Sequence, residues 1–288
     1  MIYLMILAIV VVLIFIRIVT NSFSNVFQKQ LANIGEQPAK INFLNYFLLS
    51  IVSIPIILLN NFSKFTPEFW KYALLGAIFG SICNCFMVLA LKSGQLSVLG
   101  PINSYKAIIG LVFGMIILHE YPNIYGIYGM LLIILGTYFI FDNPKDFFKK
   151  DIFYRFCALF FSAIEAIFIK KVIILSSVTI SFAASSILGA LFSFFIMLAF
   201  NTNDKFKINA VNSKLYFSMA FCFGMMTFAT AYVFSYINVG YALSLFQLSV
   251  LLNVFLGYKL FKEQNLLKKL AGSVVIIIGS ILILLLGN

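Results

Sequence analysis

Three ionisable residues, Arg17, Lys106 and Glu165, lie well inside apolar stretches of the 288-residue sequence. A charged side chain at bilayer depth costs about 2.5–3.5 kcal/mol on insertion scales, so each of them should face a cavity or a partner. Lys106 could bind an anionic group of a substrate. The carboxylate could carry a proton or neutralise one of the cations. These residues therefore predict a pathway inside a membrane protein.

Lys106 has two interpretations. It lies about nine residues into a predicted helix, which is a depth of roughly 13 Å at 1.5 Å per residue. Asn103 precedes it by one helical turn, and Gly110 and Phe113 continue the same face. The functional interpretation is a counter-ion for a substrate carboxylate or phosphate. The structural interpretation is an ion pair, for which Glu165 is a candidate partner.

Glu165 stands in the middle of an apolar stretch, three residues after Ser162. A carboxylate at that depth either exchanges a proton during a transport cycle or neutralises Lys106 or Arg17 permanently. Both interpretations fit the sequence equally well.

A polar stripe follows the first predicted helix, with members spaced four, three and four residues apart on one face. It consists of Arg17, Asn21, Ser24 and Gln28. A shift of 141 residues places Ser24 on Glu165, and the same shift places Asn21 on Ser162. The polar faces of the first and sixth helices therefore correspond, which favours a common interior. The alternative is ordinary hydrogen bonding between helices.

The composition predicts an all-α polytopic membrane protein. Hydrophobic residues make up 62% of the chain and charged residues 10%, with a mean hydropathy of +1.06. A soluble domain is nearer half apolar and a quarter charged, so most of these side chains must face lipid. The formal charge of +11 comes mostly from residues at the ends of apolar runs, where they anchor helices at the headgroups. Membrane lipid is therefore an expected partner, and nucleic acid is not.

Ten apolar segments emerge when runs of roughly 18 or more residues are cut at charged or turn-forming clusters. They cover residues 4–31, 41–60, 70–91, 97–118, 123–141, 153–174, 178–200, 214–237, 241–261 and 266–286. We expect each to cross the membrane as one helix. The most charged linker begins at Asp142 and reaches Arg155, and it separates five helices from five.

The two halves, 1–143 and 144–288, carry the signature of a duplication. Four residues of the first half recur in the second at a constant offset of 143. Gly114, Glu120, Gly129 and Gly136 map onto Gly257, Glu263, Gly272 and Gly279. Because each half has an odd number of helices, the second copy enters the membrane from the opposite side. We therefore predict inverted repeats, with a substrate site near the midplane at their interface.

The same offset predicts which polar residues face the shared interior. Lys106 maps onto Ser249, and Asn84 maps onto Thr227. The ninth helix therefore has a neutral polar face where the fourth has a cation, which suits a substrate with one anionic end. The candidate substrate-binding residues are Arg17, Asn21, Ser24, Asn84, Asn103, Lys106, Glu165, Thr227, Gln247, Ser249 and Asn253.

No residue pattern indicates an enzyme, a metal site or a cofactor. The cysteines lie in apolar runs, and Cys83 and Cys85 diverge on a helix because they are two residues apart. The only histidine, His119, stands beside Glu120 at a predicted helix end, which is typical of an interfacial anchor. No nucleotide-binding Gly-rich loop precedes a soluble domain, so ATP-driven transport is not expected.

The chain resembles the drug/metabolite transporter superfamily, EamA type. The resemblance rests on two five-helix repeats. Each repeat has an apolar run, then a glutamate, and then a final helix that contains recurring glycines. The matching segments are residues 96–141 and 240–286, and residues 25–29 resemble the end of the family's first helix. It implies a secondary transporter with a central cavity lined by both repeats. Residues 105–107 are similar to an aromatic-Lys-small pattern in organophosphate and nucleotide-sugar branches, which implies a phosphate-binding role for Lys106.

We therefore expect a secondary transporter that moves a small polar metabolite with an anionic group across the plasma (inner) membrane by alternating access. Protons are a candidate coupling ion, and the chain is expected to be a monomer or homodimer. Residues 28–30 and 118–120 are similar to small lipid-linked sugar flippases, so flipping of a lipid-linked sugar or lipid phosphate is an alternative. A non-transporting accessory subunit is another. The charge distribution favours both termini outside, whereas the resemblance implies cytoplasmic termini.

Overall fold

The computed structural model describes residues 2–60, 65–106, 108–109, 123–141, 144–200, 210–237 and 239–286. Within these ranges the chain consists of helices and short connections and contains no strand, which confirms the all-α fold class. The interpretations made for Gly110, Phe113, Gly114, His119 and Glu120 concern residues outside these ranges.

The described helices follow one another with short connections. They are α1 (Ile2–Asn33), α2 (Pro38–Leu58), α3 (Pro67–Ser93), α4 (Leu96–Ile102), α5 (Ile124–Ile140), α6 (Lys150–Leu175), α7 (Val178–Ala199), α8 (Ala210–Tyr236), α9 (Val239–Phe246), α10 (Ser249–Phe261) and α11 (Leu266–Leu286). A 3₁₀ turn over Pro144–Phe148 joins the halves. In the described part of the chain, α1, α2, α3, α7, α8 and α11 are long and apolar enough to cross a membrane. The protein is therefore a multi-pass membrane protein.

Several helices begin where the sequence supplies a capping side chain. The Thr66 hydroxyl accepts a hydrogen bond from the Phe69 backbone N–H, and Pro67 occupies the first turn of α3. The Asn123 side chain accepts from the backbone N–H of Tyr125 at 2.9 Å and starts α5. These caps satisfy backbone donors that the helix itself leaves unpaired, so they fix where α3 and α5 begin.

The repeat-related helices α5 and α11 pack against each other through two pairs of glycines. A Cβ atom on Gly129 would lie 2.6 Å from the Gly279 carbonyl oxygen. A Cβ atom on Gly136 would lie 2.7 Å from that of Gly272. Residue numbers rise along one helix as they fall along the other, so the helices are antiparallel. This arrangement confirms the predicted inverted repeat, with a pseudo-twofold axis between the two helices.

The fourth and ninth predicted helices, over 97–118 and 241–261, each contain a short interruption within the described residues, which the sequence did not predict. α4 ends at Ile102, and a turn precedes the renewed helical backbone of Tyr105 and Lys106. α9 ends at Phe246 and α10 begins at Ser249. Under the offset of 143, the two interruptions overlap at Ser104 and Gln247.

Both interruptions are tightened turns. The Ser104 N–H bonds to the Pro101 carbonyl at 3.0 Å, and the Val250 N–H bonds to the Gln247 carbonyl at 2.9 Å, each spanning three residues instead of four. The interruptions place non-helical backbone and the buried polar side chains of Ser104 and Gln247 where the repeats meet.

The remaining helices also pair across the two halves. α1 packs against α8 and α3 against α6, which are equivalent pairs under the repeat, while α2 packs against α7 and α4 against α10. The boundary between repeats at residue 143 stays a prediction. The halves interlock around one interior, so a site there draws residues from both.

Candidate functional site

A cavity of about 130 Å³ lies between the two halves at the interrupted helices. Every candidate binding residue except Gln247 lines it. The lining includes Arg17, Asn21, Ser24, Asn84, Asn103, Lys106, Glu165, Thr227, Ser249 and Asn253. The structure therefore brings these residues together, and their role in substrate binding stays a prediction.

Gln247 lies beside the cavity and joins the two interruptions. Its side-chain oxygen accepts hydrogen bonds from the Asn103 amide at 3.2 Å and from the Ser104 hydroxyl at 3.1 Å. Ser104 and Gln247 are equivalent under the offset of 143, so the repeat-related turns contact each other directly. This contact holds the broken helices in register across the pseudo-twofold axis.

Lys106 donates a hydrogen bond of 2.5 Å to the hydroxyl of Ser162 on α6. No ion pair joins it to Glu165 in the described part of the chain, although both residues line the cavity. The permanent Lys106–Glu165 pair considered from the sequence is therefore not present. The ammonium keeps donors beyond the one used by Ser162, because a lysine has three.

Arg17 reaches the start of the broken ninth segment. Its guanidinium lies 4.1 Å from the centroid of the Phe246 ring, and one terminal nitrogen donates to the Phe246 carbonyl at 3.4 Å. That carbonyl ends α9, where the helix dipole is negative and a cation is favoured. The Nε atom of Arg17 has no protein partner.

Arg155 is a third cation in the cavity lining, although its position in the sequence predicted the end of the charged linker. It is instead a buried residue of α6. Its guanidinium donates to the Leu99 carbonyl and to the Asn103 side-chain oxygen, both at 2.9 Å. Its spacing of seven residues from Ser162 and ten from Glu165 was the signal that places all three on one helix face.

Glu165 lies where the central cavity adjoins a smaller one of about 30 Å³, and Tyr46, Gly80 and Thr227 line both. A Cβ atom on Gly80 would collide with the Glu165 carboxylate, so this glycine makes room for the charge. The smaller cavity also has the hydroxyls of Ser181 and Ser185 on its wall. A cavity of this size with polar walls can hold a water molecule beside the carboxylate.

The lining is electrically unbalanced. Three cations, Arg17, Lys106 and Arg155, face one carboxylate, Glu165, among the described lining residues. None of the three cations forms an ion pair in the described part of the chain. An interior of low dielectric strengthens the attraction of such a group of cations for an anion.

Four buried polar atoms on the lining have no protein partner. They are Arg17 Nε, Ser24 Oγ, Gln28 Oε1 and Asn253 Oδ1. An unsatisfied buried donor or acceptor costs about 1–3 kcal/mol, so such atoms are expected to meet water or a ligand. The lining residues therefore carry both unpaired donors and unpaired acceptors beside the cations.

Glu263 has a structural role that its position at a helix end did not reveal. Its carboxylate accepts hydrogen bonds from the backbone N–H groups of Leu96 and Ser97, both at 2.8 Å, and so caps the start of α4. Lys29 lies 3.9 Å from the same carboxylate. Lys269 donates to the Ser97 hydroxyl at 3.0 Å. This buried network fixes the broken helix α4 against α1, α10 and α11.

No group of three or more His, Cys, Asp or Glu residues in the described ranges is arranged to hold a metal ion. The four cysteines are free. Cys83 is one of them and lies on the central cavity.

The fold and the cavity together define a multi-pass membrane protein with inverted repeats and a polar central site. The model of the EamA-like transporter family matches residues 8–142 and 149–285, so the chain belongs to that family. A solved crystal structure resembles it over 95% of this chain and 96% of the other, with a TM-score of 0.68 and 12% identity. That likeness shows the fold alone. No curated protein matches the sequence significantly.

Proposed function

We propose that this protein is a secondary transporter that moves a small polar metabolite with an anionic group across the plasma (inner) membrane. The observation that carries the proposal is the group of three cations, Arg17, Lys106 and Arg155, in a cavity with a single carboxylate. Family membership supports a transporter of the drug/metabolite type. The charge imbalance adds the preference for an anion.

Alternating access is the mechanism that the repeat architecture favours. Interrupted helices at the interface of inverted repeats are a recurring transporter design, in which one half rocks against the other around a fixed site. Here the interruptions meet through Gln247, Asn103 and Ser104, next to the cavity. A movement of either half would change which side of the membrane the cavity faces.

The size of the cavity favours a small metabolite over a lipid-linked sugar. An engineered cavity of about 150 Å³ holds one benzene molecule, and this cavity is of similar volume. A non-transporting accessory subunit was expected to have its buried charges paired with one another. The observed cations bond instead to neutral groups, as Lys106 does to Ser162.

Protons are the proposed coupling ion, and Glu165 is the proposed carrier. Its carboxylate lies between the central cavity and the smaller one, and no cation forms an ion pair with it in the described ranges. A carboxyl group in this position can take up a proton when the anion binds to the neighbouring cations and release it afterwards. A monomer or a homodimer could operate in this way.

Uptake into proteoliposomes tests the proposal. Purified protein would be reconstituted and offered a panel of anionic, zwitterionic and cationic metabolites, with and without an imposed pH gradient. Vesicles without protein are the control. We expect accumulation of at least one molecule that carries a carboxylate or phosphate, and none of purely cationic molecules. Transport of none of the panel, or of cations only, would overturn the proposal.

A further inference from the structure

We infer that a chain of buried amides makes this transporter select anions that also carry a hydrogen-bond donor, such as an amino or hydroxyl group. The inference rests on the proposed function and deepens it, because it names a second group that the substrate must have. The amide chain consists of Gln28, Asn84 and Asn42, and it ends on the backbone carbonyl of Ser81.

The amide chain runs from the cavity wall into the protein. The Gln28 side-chain nitrogen donates to the Asn84 oxygen at 3.0 Å, and the Asn84 nitrogen donates to the Asn42 oxygen at 2.8 Å. The Asn42 nitrogen then donates to the Ser81 carbonyl at 3.0 Å. Gln28 and Asn84 line the cavity, whereas Asn42 is fully buried behind them on α2.

The Ser81 carbonyl fixes the direction of the whole chain. A backbone carbonyl can only accept, so Asn42 must turn its NH₂ group towards it. The Asn42 oxygen then accepts from the Asn84 nitrogen, and the Asn84 oxygen accepts from the Gln28 nitrogen. Gln28 is consequently held with its oxygen free. A side-chain amide could otherwise rotate and offer a donor instead.

The oxygen atom of the Gln28 side chain lacks a hydrogen-bond donor. Gln28 lines the cavity and is only 1% exposed, and its buried Oε1 atom has no protein partner. Asn253, from the other repeat, also lines the cavity and is 3% exposed, and its buried Oδ1 atom likewise has no protein partner. A ligand without a donor would leave these buried acceptors unsatisfied, which is costly.

The cations and the acceptors together define the ligand class. Arg17, Lys106 and Arg155 attract a carboxylate or phosphate, and Gln28 and Asn253 accept from a second group on the same molecule. Amino acids, hydroxy acids and hydroxylated organophosphates meet both requirements. Simple carboxylates and alkyl phosphates meet only the first.

Matched ligands test this selectivity on the purified full chain in detergent. Dissociation constants would be measured for propionate, lactate and alanine, and for propyl phosphate and glycerol 3-phosphate. Within each set the anionic group is constant and only the donor differs. We expect the donor-bearing members of at least one set to bind about 10-fold tighter or more. Equal affinities within both sets would overturn the inference.

The substitution Asn42→Leu tests the role of the amide chain. The substitution removes the group that sets the direction without altering the cavity wall, so the Gln28 amide becomes free to turn. We expect the ratio of affinities within a set to fall to about 3-fold or less. A purely structural role would weaken all ligands equally and keep the ratio, and that result would overturn the inference.

Asn45→Leu is the matched control, because Asn45 is a fully buried amide one turn further along α2 that does not line the cavity. We expect Asn45→Leu to leave the ratio of affinities within a set unchanged. An equal loss of selectivity in Asn42→Leu and Asn45→Leu would contradict the role of the amide chain.

Lys106→Met separates the inference from the proposed function. If the affinity of the ligands depends on Lys106 but not on whether they carry a donor group, the role of the amide chain is refuted and the proposed function is not. Binding of no probe in a Lys106-dependent manner would refute both.

Discussion

Two regions of the molecule are related by the same pseudo-twofold symmetry: the glycine contact between α5 and α11, and the interrupted helices at the cavity. They differ in whether repeat-equivalent positions carry the same residue type. At the contact, Gly129 and Gly136 have glycines as their repeat equivalents, Gly272 and Gly279. Gly129 lies against the backbone of Gly279, and Gly136 lies against that of Gly272. At the cavity, Lys106 has Ser249 as its mate. One region keeps the symmetry of the duplication, and the other has lost it.

The difference has a physical origin. Each glycine in the contact touches a carbonyl oxygen of its partner helix, so a side chain on either helix would force the backbones apart. Packing therefore holds both copies to the same residue. A ligand with one anionic end and one neutral end needs different residues at the two repeat-equivalent positions. Two equivalent cations would repel each other, and the second would bind the neutral end poorly. The backbone remains symmetric while the side chains at the cavity diverge.

The largest expected effect comes from removing the charge that holds α4 in place. Glu263→Gln leaves the N–H groups of Leu96 and Ser97 with a weaker acceptor and strips Lys29 of its counter-ion. Breaking a buried pair costs about 3–5 kcal/mol, so we expect a loss near 3 kcal/mol in the free energy of unfolding. Chemical denaturation in detergent measures it. Glu68→Gln, at an exposed site, is the control, and an equal effect in both would contradict this role.

Adding one methyl group to the glycine contact should have the next largest effect. Gly136→Ala places a Cβ atom 2.7 Å from the Gly272 carbonyl oxygen, so the helices must separate. Overpacking of this kind costs about 1–3 kcal/mol, which a lower thermal unfolding temperature would report. Gly76→Ala is the matched control, because its Cβ would meet Phe168 at an ordinary 3.4 Å. If the two variants were equally stable, the contact would not be constrained as described.

Glu165→Gln should separate binding from coupling. The amide has nearly the same shape but cannot take up a proton, so we expect uptake driven by a pH gradient to fall at least 10-fold. Exchange of labelled for unlabelled substrate without a gradient should persist. Both rates can be measured in the same proteoliposomes. Unchanged gradient-driven uptake would remove Glu165 from the coupling mechanism.

The smallest effect is expected at the repeat mate of Lys106. The Ser249 hydroxyl already donates to the Phe246 carbonyl of its own segment at 2.8 Å, so it is not free to act as a strong ligand donor. Ser249→Ala should change the dissociation constant of the transported anion by no more than about 3-fold, since a neutral hydrogen bond contributes about 1 kcal/mol. A loss as large as that of a Lys106 variant would show that the two positions are functionally equivalent.

Much of this architecture was predictable because hydropathy and a constant offset both report on packing. The offset connecting Gly129 and Gly136 with their mates predicted the inverted repeat, since the glycines recur where backbones touch. The interruption after Ile102 was not predicted, because Asn103 was interpreted as part of a polar helix face and not as part of a turn.

The site was predictable where polarity stood out from an apolar background. Lys106 and Glu165 were identified in this way. Arg155 was missed because charges near a linker resemble an interfacial anchor, and only its spacing to Ser162 distinguishes it. Asn42 was missed for a similar reason, because a polar residue near a helix start is typical of a cap. Its place in the amide chain depends on hydrogen bonds with Asn84 and with the Ser81 carbonyl, which are distant in sequence.

The role of the buried cations in anion binding is best tested by the dissociation constant of an anion, measured on purified wild type, Lys106→Met and Lys171→Met. Both substitutions remove one positive charge, but Lys171 is exposed and lies away from the cavity. We expect Lys106→Met to raise the dissociation constant by roughly 10-fold to 100-fold, as for the loss of a hydrogen bond to a charged group, and Lys171→Met to change it little. Equal affinity in the wild type and in Lys106→Met would contradict this role.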